Sequence, residues 1–62
     1  MNTREAMVSI AQTLLHARGS DRSIEAINMA VYDTCQLVPS TVADSEAVRD
    51  ELVRREIVTE GR

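Results

Sequence analysis

A single Tyr, no Phe and no Trp stand among 62 residues, and that shortage limits what the chain can build. Aromatic side chains bury the largest areas in small cores. Here the core has to come from Ile, Leu, Val, Met and Ala. Cys35 is the only cysteine, so no internal disulfide can compensate, and no Cys/His spacing suggests a zinc site. At 6.9 kDa such a chain exposes about 10,000 Å² unfolded and about 4,000 Å² folded. If about 60% of the difference is apolar, its burial contributes about 90 kcal/mol. Ordering the residues costs about 93 kcal/mol. The balance is close to zero, and small domains in this position often gain stability by associating.

The pattern of apolar residues predicts an all-α fold: a three-helix bundle in one domain over 1–62, with the middle helix most buried and the whole assembled as a dimer. The first helix is expected over about 3–18. Asn2 and Glu5 form a capping box, and Gly19 provides the stop. Met7, Ile10, Ala11, Leu14 and Leu15 recur at helical period, with Glu5, Ser9, Gln12 and His16 opposite. The second helix is expected over 23–37, capped from Ser20, Asp21 or Ser23 and stopped by Pro39. Its apolar stripe reads Ile24, Ile27, Val31, Cys35 and Val38, with Asn28 and Thr34 on the same side and Ala26, Ala30 and Leu37 along one flank. A helix with so little charge is normally surrounded by protein.

The third helix is expected over 44–56, followed by a tail over 57–62. Thr41 with Asp44 and the pair Asp44 and Ser45 compete as its start. Val48, Leu52 and Arg55 share one face, with Val53 and Ile57 toward another. Asp50 with Arg54, and Glu51 with Arg55, are spaced as i,i+4 ion pairs.

Candidate chemistry is sparse. Cys35 lies late in its helix, where the dipole disfavours a thiolate, and reads as a small core residue. His16 reads as a surface residue near a helix end. The carboxylates Asp44, Glu46, Asp50 and Glu51 are interleaved with arginines, as on a solvated face. The only glycines are Gly19 and Gly61, so no phosphate loop is present. These features point away from an enzyme, a cofactor and a small-molecule substrate. The least charged run, 26–38, is about 13 residues and too short to span a bilayer. A cytoplasmic location is the expectation that follows.

What remains favours protein binding. Met29 and Tyr32 lie on the side of the second helix away from its stripe, near Asp33, and both residue types are enriched at interfaces. Ala26 and Ala30, one turn apart, allow close approach of another helix. The expected role is a non-enzymatic interaction module, self-associating or serving as adaptor, inhibitor or regulatory subunit, with Met29, Tyr32, Ala26, Ala30 and Asp33 at the interface. The competing reading is a small DNA-binding regulator. The third helix followed by Ile57, Val58 and Thr59 resembles, in hydrophobic pattern, the helix-turn-helix or winged-helix arrangement. Arg49, Arg54 and Arg55 would then contact phosphates. A net charge of −3 is a poor match for nucleic acid or anionic membrane.

Overall fold

Local signals start and stop each helix. In the computed structural model, which describes residues 2–58 apart from the Val58 side chain, α1 spans Thr3–Ala17. Asn2 Oδ1 accepts from the Glu5 backbone N–H at 2.8 Å, and Glu5 Oε1 accepts from the Asn2 N–H at 3.0 Å. The chain leaves α1 through Gly19 at φ +121°, a conformation that side chains with a Cβ rarely adopt. Helix α2 spans Ile24–Leu37. Ser23 caps it, its hydroxyl accepting from the Ala26 N–H at 3.1 Å. Asp21 fixes Ser23 in turn by accepting its N–H at 2.9 Å. Val38 is extended ahead of Pro39, as the ring of a following proline requires.

Helix α3 spans Val42–Val53. Of the two competing starts, Thr41 prevails: its hydroxyl accepts from the Asp44 N–H at 3.1 Å, and Asp44 accepts from the Thr41 N–H at 3.2 Å. The helix therefore begins at Val42 and not at 44. It also does not end near Glu56 in an extended tail. A π-helical turn, Arg54–Val58, carries it on, so Ile57 and Val58 are helical; 59–62 lie outside the described residues.

A π turn repeats at i,i+5 and not at i,i+4. Ile57 packs against the core and Glu56 is 7% exposed, while Arg55 stays outside. The stripe expected from a uniform 3.6 period, Val48–Leu52–Arg55, is corrected on this account.

The core is formed by Met7, Val8, Ala11 and Leu15 of α1, Ile27, Ala30 and Val31 of α2, and Val48 and Leu52 of α3. Val8 replaces Ile10 at the centre of the α1 stripe; Ile10 and Leu14 are half-buried. On α2 the buried face keeps most of the expected side but excludes Ile24 and Asn28. Ile27, Ala30, Val31 and Thr34 point inward, while Ile24 is exposed. Thr34 satisfies its buried hydroxyl by donating to the Ala30 carbonyl at 2.8 Å. Helices α1 and α2 bury four side chains each, so the middle helix is not set apart by enclosure.

Short loops make successive helices antiparallel, and α1 and α3 therefore run parallel. Arg4 Nε donates to Asp44 Oδ1 at 2.7 Å, joining their first turns. Gln12 Nε2 donates to Glu56 Oε2 at 2.7 Å, joining the second half of α1 to the π turn that follows α3. The body measures 32 × 21 × 19 Å, with a surface of 4094 Å².

Candidate protein-binding surface

Rotation of α2 about its axis decides what it offers to a partner. With Ile27, Ala30, Val31 and Thr34 inside, the opposite side carries Met29 and Tyr32, which are 64% and 66% exposed. The two residues are one turn apart, so their side chains are neighbours on the helix surface. Leu37 and Val42, on either side of the α2–α3 turn, are also exposed.

The five expected interface residues separate into groups. Met29 and Tyr32 are open. Ala26 is half-buried and packs against the core. Asp33 is half-buried and accepts from the Arg18 guanidinium across the α1–α2 gap. Ala30 is fully buried within the chain, and the expectation for it is corrected: its missing side-chain bulk lets α2 lie close to its neighbours in the same molecule.

A groove lies beside Met29, between the end of α1 and α2. It encloses about 370 Å³ and is lined by Leu15, Arg18, Asp21, Glu25, Ala26, Met29 and Asp33. Leu15 and Ala26 come from the core side, so its floor is apolar, and charged residues form its rim. A second depression of about 410 Å³ lies between α1 and α3. Its rim carries Arg4, Glu5, Glu51 and Arg55, a balanced set engaged in caps and ion pairs.

The arginines of α3 have carboxylate partners. Arg54 and Arg55 both donate to Glu51, Arg55 Nε at 2.6 Å. Arg54 pairs at i,i+3 with Glu51, not at i,i+4 with Asp50 as its spacing suggested. Arg49 makes a long contact of 3.5 Å with Asp50. Hydrogen bonds from Arg54, then Arg55, hold the Glu51 carboxyl below its ordinary range.

A polar cluster at the far end of α3 was not visible as such in the sequence. Glu56 Oε2 accepts from Gln12 Nε2 and lies 3.0 Å from His16 Nε2, and Glu56 Oε1 accepts from Arg22 Nε at 3.0 Å. Burial raises the Glu56 carboxyl, but bonds from Gln12 and His16 with the charges of His16 and Arg22 outweigh it, and the net direction is down. His16 is thus half-exposed but anchored. Arg22 also donates to the Gly19 and Asp21 carbonyls, so the cluster ties the α1–α2 loop to the π turn. Glu56 follows the buried Leu52 at i,i+4, so spacing alone turns it toward the core; what spacing could not show is that Gln12, His16 and Arg22 converge on it from α1 and the loop.

Cys35 is half-buried against the core. No group of three or more His, Cys, Asp or Glu among the described residues is arranged to hold a metal. Nor is any helix there long and apolar enough to cross a membrane.

No family model, curated protein or solved structure matches this chain. Its functional reading rests on its own residues.

Proposed function

We propose that the chain is a non-catalytic protein-binding module that presents the outward side of α2 to a partner, as a self-associating subunit, adaptor, inhibitor or regulatory subunit. The observation that carries this reading is the exposure of Met29 and Tyr32, 64% and 66%, side by side on a helix with little charge. Contiguous apolar patches rimmed by polar residues mark interaction sites, and Met29 and Tyr32 are neighbours at i,i+3 on one helix face. A flexible Met adapts to a partner's shape, and a Tyr adds wide contact area with a polar tip. The core of this chain is small and built without aromatics, so covering more apolar surface would add stability.

The nucleic-acid alternative draws less support. It asks α3 to offer an arginine-rich face, and Arg54 and Arg55 share the carboxylate of Glu51.

The test compares wild type with the Met29→Ala/Tyr32→Ala double variant, since neither side chain belongs to the core. Sedimentation over a range of concentrations reads self-association. Affinity capture with each protein as bait reads binding to others. Wild type is expected to associate or to capture a defined protein, and the double variant to lose that property by about tenfold or more in affinity. A wild type that stays monomeric and captures nothing in a manner sensitive to the two substitutions removes the reading.

A further inference from the structure

The groove beside Met29 has a shape and a charge that narrow the class of partner. Along α2 it extends from Glu25 to Asp33, which is about 12 Å at the helical rise, or two turns. That length matches the apolar face of a docked helix, whose anchors recur at i, i+3, i+4 and i+7. Exposed Met29 and half-buried Ala26 give such anchors an apolar seat, over a floor formed by the buried Leu15.

The rim decides the sign of the charge. Among the lining residues Asp21, Glu25 and Asp33 stand against Arg18, which is committed to Asp33, and Arg22 beside Asp21 is committed to Glu56. Asp21 and Glu25, both exposed, leave the loop end of the groove acidic. A second copy would bring to this groove a rim of the same net negative charge, and like charges brought together at an interface cost affinity. An anionic lipid surface is repelled for the same reason.

Resting on the protein-binding reading above, we infer that the groove receives a basic amphipathic helix of another protein, its leucine-like face on Leu15, Ala26 and Met29 and its arginines or lysines toward Asp21 and Glu25. The binding is heterotypic, with a partner of opposite charge.

The experiment uses the full chain and three synthetic peptides of about 15 residues. One places leucines at i, i+3, i+4 and i+7 with flanking arginines. A second replaces the arginines with glutamates. A third keeps the arginines and replaces the leucines with serines. Binding is followed by fluorescence anisotropy at low salt, and by NMR shifts of the backbone amides. The first peptide is expected to bind and to shift Ala26 and Met29, with both controls about tenfold weaker or more. Its affinity is expected to fall as salt screens the rim. Asp21→Asn/Glu25→Gln is expected to weaken it about three- to tenfold. The side-chain amide that replaces the Asp21 carboxylate keeps an oxygen to accept from the Ser23 N–H, and circular dichroism checks that the helices persist. If that variant does not fold, the peptide exchanges carry the comparison alone. Equal binding by either control, or no binding of the basic peptide at about millimolar concentration, overturns the inference. The protein-binding reading survives that result if Met29→Ala/Tyr32→Ala still abolishes self-association or capture, so the two failures are told apart.

Discussion

Replacing Glu56 with Ala should unfold much of what holds the end of α3 in place. The carboxylate is 8% exposed and takes bonds from Gln12, His16 and Arg22. Removing one partner from a fully buried ion pair costs about 3–5 kcal/mol. The side chains of Arg22 and His16 are 26% and 48% exposed, so they recover some hydration when the acceptor is lost. Discounting for that, Glu56→Ala should cost about 2–3 kcal/mol. A core of this size supplies about 3–5 kcal/mol in all. The variant should therefore keep only a small part of its stability, and Tm should fall by about 10–20 °C. Urea titration followed by circular dichroism measures the difference, with Glu46→Ala on the exposed side of α3 as a control expected within about 0.5 kcal/mol. Glu56→Gln keeps the shape, loses the charge and should cost about 1–2 kcal/mol. The pH dependence has a definite sign. The Glu56 carboxyl lies below its ordinary value in the fold, so its contribution is present above the unfolded value of about 4.3. That contribution disappears as pH falls through the folded value. The gap between wild type and Glu56→Gln should close in that acid range and persist at neutral pH. A loss under about 0.5 kcal/mol for Glu56→Ala, or a gap that widens in acid, would refute the assignment of the cluster as a clamp.

Two further substitutions test the helix boundaries. Gly19 sits at φ +121° with nothing within 4 Å of the place an added Cβ would occupy, so Gly19→Ala meets backbone strain without a clash and should cost about 1–2 kcal/mol by thermal melting; no loss would mean that the loop relaxes freely. Thr41→Ala removes the cap that starts α3 and should cost about 1 kcal/mol, with amide exchange quickened at Asp44, whose N–H donates to the Thr41 hydroxyl. Unchanged exchange there would show that Asp44 or Ser45 can start the helix equally well.

Much of the architecture was legible because its signals are local. The Asn2–Glu5 box, the Gly19 stop, the Ser23 and Thr41 caps and the break at Pro39 each act within a few residues. The apolar period located Met7, Ala11, Leu15, Ile27, Val31, Val48 and Leu52 in the core. What escaped depended on tertiary placement. Whether Val8 or Ile10 faces inward turns on the rotation of α1 against two neighbours at once. Ile24 reads as core from its type, yet it is 47% exposed, while Thr34 on the expected side is fully buried. Nothing in the spacing links Glu56 to Arg22, which lie 34 residues apart and meet only through the path of the α1–α2 loop. Of the candidate surface, Met29 and Tyr32 were legible as residues facing away from the stripe, whereas the groove was not, because Leu15 and Arg18 reach it from another helix.

The parallel course of α1 and α3 puts Thr3 and Ile57 at opposite ends of a body 32 Å long. Fluorophores attached near these two positions would be held apart by the bundle itself, so energy transfer between them serves as a ruler. A terminal tag near Thr3 stands at the pole away from the α1–α2 loop, and the acidic end of the groove stays clear of it.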